Sequence, residues 1–404
     1  MPEREPPTVR LHKPVDRALR EGHPWVYRDA VEPLPDAGTE VRVADTRGRF
    51  VGRGLCDDGP IGVRIFTLRD ESIGTTMFAS RISSACAWRD VCVPAETDAY
   101  RLLHGEGDRM PGFVCDVYGA VAVVRADGAA SAAWLSSFVD ALRPALDARG
   151  VGTLLARTAR RHPRPDADDP SSRHTRATVD VVYGQAPDDI VIVRERGVRL
   201  PVDLFRGQKT GLFLDQRTSR HRVRQRSEGK RVLNLYAYTG GFSIAAAIGG
   251  ASHVHSVDLA APAIALAEET FRANDVDPAA HEFTVGDAMD VLAALRGRRA
   301  RYDLVIADPP SFAPSEEAVP RALQAYRALH AACVGVLVPG GMYLAGSCSS
   351  HVDSARFRET LASAASSATR PVQIVDAWGA PEDHPRLPAF PEGDYLKLVL
   401  CRVP

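Results

Sequence analysis

The feature that most constrains this chain is an alternation of short apolar runs with amphipathic segments, beginning near Arg231. VLNLYAY (232–238) is followed by GFSIAAAIGG, HVHSVDL (253–259) by PAIALAEETFRAND, and HEFTVGD (281–287) by AMDVLAALRG. YDLVIAD (302–308) is followed, after a loop, by VPRALQAYRALHAACVGV, and MYLAGSC (342–348) by SARFRETLASAASSA. Such apolar runs suit strands covered on both faces, and intervening helices supply the crossovers that parallel strands need. The pattern predicts an α/β fold with an open, doubly wound parallel sheet. The last two runs, PVQIVDAWG and YLKLVLCRV, have no long helix between them and predict an antiparallel pair.

A chain of 404 residues exceeds what one core usually supports. Residues 41–68 alternate polar and apolar positions between turn signals, so residues 1–75 read as a small β-rich domain. Residues 76–190 read as a middle α/β domain, with a hairpin over 111–127 and an amphipathic helix over 132–150. Its stretch 157–176 carries six arginines among proline, serine and aspartate. We read it as a solvated insertion in preference to an RNA-contacting loop. Residues 191–404 form the third domain, opened by the hairpin IVIVRERGVRLPVDL. In HPWVYR (23–28), Trp25 and Tyr27 suit either stacking or the core.

Net charge is -1, so a nucleic acid would have to be held by local patches. No apolar run is long enough to span a membrane, and the charged, proline-bearing start does not read as a signal peptide. The seven cysteines are widely spaced without CxxC, which indicates neither a disulfide framework nor a metal site. A cytoplasmic location is expected.

In doubly wound folds, ligands bind beyond the carboxyl ends of the strands. NLYAYTGGFS (234–243) puts Gly240 and Gly241 at a helix start, where backbone can approach a ligand. It lacks GxGxxG, which argues against a standard dinucleotide site. Asp258 closes the next strand, where a carboxylate can accept both hydroxyls of a ribose. Asp287, in Gly286-Asp287-Ala288, suits the exocyclic amine of an adenine. Each aspartate alone reads equally well as a turn or a helix cap. Their joint placement favours a nucleoside site. Asp308-Pro309-Pro310-Ser311-Phe312 ends a strand abruptly and fixes a rim suited to a planar base.

Together NLYAYTGGFS, SVDL, GDA and DPPSF resemble the class I methyltransferases that use S-adenosylmethionine. GQKTGLFLDQR (207–217), RLLHGEGDRMPGFVCDVYG (101–119), GSCSSH (346–351) and HPRLPAFPEGDYLKL (384–398) narrow the likeness. They resemble the RlmI-type large-subunit ribosomal RNA cytosine-C5 methyltransferases, over nearly the whole chain. The resemblance implies a C-terminal Rossmann-like methyltransferase sheet, an N-terminal PUA-like RNA-binding domain and a middle α/β domain. It implies S-adenosyl-L-methionine as cofactor, 23S ribosomal RNA as partner, and a homodimer. By the same resemblance, Gly240 and adjoining backbone hold the methionine part, Asp258 the ribose and Asp287 the adenine. Tyr238, Gly241 and Ala288 belong with these cofactor-binding residues. Asp308 lines the boundary between cofactor and base, and Gln216 and Arg217 lie near the cofactor carboxylate or the active-site entrance. GEGDRMPG departs from the usual GEADGLPG, a difference expected to bear on domain packing.

Cytosine C5 is a poor nucleophile toward a methyl sulfonium. A thiolate added to C6 makes C5 enamine-like; after methyl transfer, loss of the C5 proton and elimination of the thiolate restore aromaticity. Cys348 lies directly after the fifth strand and shortly before a helix, where a thiolate is favoured. Cys56, Cys86, Cys92, Cys115, Cys333 and Cys401 read as core. Asp308 is expected to orient the base; His351 has no assigned role. A competing chemistry is the (N/D)PP(Y/F) turn of amino-methyltransferases, which needs no cysteine, and Ser311 before Phe312 weakens it. A small-molecule methyltransferase and an inactive RNA-binding scaffold are the remaining alternatives.

Arg217, Arg220, Arg222, Arg224, Arg226, Lys230 and Arg231 fall within fifteen residues, with Glu228 the only acid. Arg220, Arg222, Arg224 and Arg226 are expected to contact RNA phosphate. Extruding a paired base costs a few kcal/mol, which favours naked or partly assembled ribosomal RNA as substrate.

Overall fold

The computed structural model describes residues 5–159 and 177–404. Of the arginine-bearing stretch 157–176, expected as an insertion, residues 157–159 instead close the strand Thr153–Ala159, and 160–176 lie outside the described residues. The chain forms two compact units. One holds residues 1–193, 202–214 and 382–393; the other holds 194–201, 215–381 and 394–404.

The first unit contains two five-stranded sheets. Strands β1 (Thr8–Arg10), β2 (Trp25–Tyr27), β3 (Glu40–Ala44), β4 (Phe50–Cys56) and β5 (Ile61–Thr67) pair in the order β1-β3-β4-β5-β2. Strands β6 (Ala99–His104), β7 (Phe113–Tyr118), β8 (Val121–Ala126), β9 (Thr153–Ala159) and β10 (Ala177–Tyr183) pair in the order β10-β9-β8-β7-β6. The hairpin about Gly119 forms as the alternation predicts. The expected boundary near residue 75 falls inside a shared core. Leu55 and Phe66 of the first sheet join Phe78 and Ile82 of helix Thr75–Cys92, with Phe113 and Phe138, in one apolar cluster. Trp25 packs edge-on against Phe390, ring centroids 4.5 Å apart, and its indole N–H donates to Glu106 at 2.9 Å.

The GEGDRMPG stretch does pack. Asp108 accepts from both Arg89 Nη atoms at 2.7 and 2.6 Å, and Gly107 lies so close to the Pro385 carbonyl that no side chain fits between them. A hairpin of β11 (Ile190–Glu195) and β12 (Val198–Asp203) also forms as expected.

The second unit is built on seven strands: β13 (Arg231–Leu235), β14 (His253–Asp258), β15 (Glu282–Val285), β16 (Tyr302–Ala307), β17 (Leu337–Ser347), β18 (Gln373–Trp378) and β19 (Lys397–Arg402). Their order is β15-β14-β13-β16-β17-β19-β18. The first five are parallel, and β19 runs antiparallel to both β17 and β18. Strand order reverses between β13 and β16, which makes that pair the switch point. Both are almost wholly buried, as an interior parallel strand must be. The edge strand β18 is largely exposed and carries a register shift between Ile374 and Asp376.

The turn after β13 depends on Gly240. It has φ +77°, and a Cβ built there would lie 2.8 Å from the Cβ of Ala267. At Gly241 the added Cβ meets only the Arg220 side chain, at 3.0 Å from Cδ. Gly240→Ala is therefore expected to cost about 2–5 kcal/mol, summing left-handed strain and overpacking. Gly241→Ala should stay within about 1 kcal/mol, since a helix favours alanine over glycine. Urea denaturation of both variants checks the ranking.

Candidate active site

The parallel strands of the second unit all end along one edge of the sheet. There, the loop after β13 holds Tyr236 at φ 58° and Tyr238 at φ 49°. Left-handed conformations outside glycine cost about 1–3 kcal/mol each and persist only where the surroundings enforce them. Asp258 supplies the restraint at Tyr238. Its Oδ2 accepts from the Tyr238 N–H at 2.8 Å, and its Oδ1 accepts from the Ala260 N–H at 2.9 Å. Asp287 caps helix Ala288–Gly297, its Oδ1 accepting from the N–H groups of Met289 at 2.8 Å and Asp290 at 3.2 Å. The Ala288 side chain belongs to the core. Both aspartates thus serve as the turn or cap that their positions allow. A carboxylate has about four lone-pair sites, so neither duty exhausts its acceptors.

Asp308 follows β16, and its Oδ2 accepts from Gln216 Nε2 at 2.7 Å. Because a carboxylate only accepts, this bond fixes which way the amide faces. Gln216 Oε1 is left buried with no donor among the described residues. An unsatisfied buried acceptor costs about 1–3 kcal/mol, which sets this atom apart from the bonded side chains around it. Arg217, 1% exposed, starts the helix Arg217–Arg224 beside it. At Gly346, a Cβ would lie 2.5 Å from Asp308 Oδ1, so only glycine lets the ends of β16 and β17 come this close.

Two residues later comes Cys348, half-buried. Its neighbours Ser347 and Ser349 are wholly buried. The Tyr326 hydroxyl lies 2.9 Å from Ser347 Oγ and 3.3 Å from Ser349 Oγ. Ser311, from the DPPSF turn, lies 3.0 Å from Ser349 Oγ. The two serines therefore anchor the segment inward and tie it to the Asp308 turn, while Cys348 Sγ lies 4.0 Å from the Pro309 carbonyl. Cys56, Cys86, Cys115, Cys333 and Cys401 are buried, and Cys92 is half-buried. Burial pushes the Cys333 and Cys401 thiols up to about 12, far from a reactive thiolate at neutral pH.

The basic run behaves differently from the sequence expectation. Arg220 is 5% exposed and paired with Glu195, its Nε donating at 2.8 Å, so it cannot serve phosphate. Arg222 pairs with Asp376 and lies over the Trp378 ring, 4.3 Å from its centroid. Arg224 and Arg226 are half-buried and donate to the carbonyls of Arg196 and Arg222, at 3.5 and 3.0 Å. Charge density along the sequence does not distinguish an internal ion pair from an open patch.

Sequence reasoning missed two features. A cleft of about 800 Å³ in the first unit is lined by Arg69, Arg81, Arg109, Ser84 and Trp88, among others. None of the three arginines forms an ion pair among the described residues. Arg81 donates to the Phe66 carbonyl at 2.6 Å, and burial together with Arg109 lowers its pKa to about 10. Trp88 is 46% exposed. The second feature is Lys397, buried at the start of β19, where it donates to the Ser349 carbonyl at 2.6 Å. The cleft joins residues distant in sequence, so no local signal marks it. Lys397 does carry a sequence signal: it is a charged residue directly before the apolar run Leu398–Cys401.

Residues 171–397 match the S-adenosylmethionine-dependent methyltransferase family, and residues 9–68 match the PUA-like domain. Ribosomal RNA large subunit methyltransferase I of Shigella boydii is 33% identical over 399 residues, 97% of this chain and 98% of that protein. The protein of the same name from Photobacterium profundum is 33% identical over 403 residues, 98% and 99% of the two chains. A putative SAM-dependent methyltransferase from Streptococcus mutans shares the fold, with a TM-score of 0.86 at 24% identity, covering 98% of this chain and 100% of that one. The chain belongs to the ribosomal RNA large subunit methyltransferase I family, whose α/β Rossmann-like, S-adenosylmethionine-dependent methyltransferase fold is joined here by a PUA-like N-terminal domain.

Proposed function

We propose that this protein methylates C5 of a cytosine in large-subunit (23S) ribosomal RNA, with Cys348 as the nucleophile at C6. The observation that carries the chemistry is the setting of Cys348: half-exposed after the end of β17, between two buried serines that both bond Tyr326, with Ser349 also bonded to Ser311 of the Asp308 turn. Cys348 adds to C6, Asp308 orients the base, and elimination of the thiolate closes the cycle. Gln216, whose Oε1 lacks a donor, fits the ammonium of the cofactor; Asp258 and Asp287 keep spare acceptors for ribose and adenine, and Tyr238, Gly240 and Gly241 supply the adjoining backbone. When bound, S-adenosylmethionine supplies the electrophilic methyl group that the activated C5 accepts.

The substrate class draws support from the relatives' name and from the PUA-like domain. On this reading the RNA is naked or partly assembled, the enzyme is a cytoplasmic homodimer, and its parts are residues 1–75, 76–190 and 191–404. Arg69, Arg81 and Arg109, which form no ion pair among the described residues, lie in one cleft lining with exposed Trp88 and suit a phosphate backbone with a stacked base. This cleft replaces Arg220 as the favoured RNA contact.

Cys348→Ala should lower methyl-cytosine formation by about 10³-fold or more while leaving S-adenosylmethionine affinity by calorimetry intact. RNA carrying 5-fluorocytidine should form a denaturation-resistant adduct with the unaltered protein and none with the variant. Retained methyl transfer in Cys348→Ala would reject the covalent route in favour of amine methylation. Arg69→Gln with Arg109→Asn should weaken RNA binding and flatten its log–log salt dependence by about 1–2 in slope. Deproteinised ribosomal RNA should accept methyl faster than intact subunits in a tritium-transfer assay.

A further inference from the structure

Lys397 opens β19 directly opposite Ser347 in the antiparallel pairing with β17. It is 5% exposed. Its Nζ donates to the Ser349 carbonyl at 2.6 Å and the Tyr395 carbonyl at 2.8 Å. It forms no ion pair among the described residues. Three other buried cations do have carboxylates: Arg64 with Asp57 at 2.7 Å, Arg89 with Asp108 at 2.6 Å, and Arg220 with Glu195. Burying an ammonium with no carboxylate in direct contact is costly, and two carbonyl bonds leave its third N–H to be used.

We propose that Lys397 is a positioning residue whose fixed positive charge holds the Cys348 sulfur as a thiolate, the form able to add to a pyrimidine. Cys348 gives its proton to solvent while Lys397 keeps its own, so the pair goes from one positive charge to none. This rests on the reading of Cys348 as the nucleophile. The charged and titratable groups around the pair come from several elements. Asp394 precedes β19, Asp353 caps helix Ser354–Ala368, Asp308 follows β16, and Tyr326 lies on helix Val319–Gly335. Burial pulls the Lys397 ammonium below its usual range, while Asp394, Cys348 and Asp353 act the other way. His351 is engaged instead with Glu316 at 3.5 Å.

The test is the rate of iodoacetamide labelling of Cys348 against pH, resolved from Cys92 by peptide mass spectrometry. It uses the full-length protein without RNA or cofactor. The unaltered protein should show a midpoint below the ordinary thiol value of about 8.5. Lys397→Gln keeps N–H donors without the charge, and should move the midpoint up by about one pH unit, roughly tenfold slower labelling at neutral pH. A midpoint at or above the ordinary value in the unaltered protein overturns the proposal even if the variant fails to fold. So do coincident profiles in the folded variant, checked by its S-adenosylmethionine affinity. The 5-fluorocytidine adduct separates this failure from that of the parent reading. An adduct with coincident profiles removes Lys397 and keeps the nucleophile. Shifted profiles with no adduct keep the thiolate and remove cytosine addition.

Discussion

The second unit depends on one constraint: β16 and β17 must end close enough for their loops to share hydrogen bonds. Gly346 permits the approach, because any side chain would collide with Asp308. Tyr326 then lies between Ser347 and Ser349, and Ser311 reaches across from the neighbouring turn. With the serines committed inward, alternation along the extended chain leaves Cys348 as the residue that faces away from that network. Two acceptor-rich turns and one sulfur are thereby held in place by hydrogen bonds between neighbouring strand ends.

Much of this was legible. The period of the apolar runs announced every strand of the parallel sheet, because buried strands need apolar side chains on both faces. The strand-end aspartates were legible as strand-end residues, but their two possible duties look alike in sequence. Asp287 as a cap and Asp258 as a brace for Tyr238 emerge only when backbone donors are located. Orphaned Gln216 Oε1 was beyond sequence reasoning for the same reason. It is defined by the absence of a donor, and absence has no sequence signature.

The basic run shows where local reading fails. Seven cations in fifteen residues suggested a surface, yet Glu195, far upstream in the chain, neutralises Arg220, and Asp376 on the edge strand takes Arg222. Arginines that form no ion pair among the described residues lie elsewhere, around the cleft of the first unit. Electrostatic character belongs to neighbours in space, and charge-rich segments are those most apt to find partners of opposite sign.

The division of the chain into units carries a further consequence. The first unit takes residues 202–214 and 382–393 back from the second, so the polypeptide passes between the two bodies five times. No single cut in the gene would release either body with all its segments. Such a layout resists recombination: a fusion or deletion that swapped one half would strand pieces of the other. Descent should therefore carry both bodies together as one heritable whole, in keeping with relatives that align from end to end.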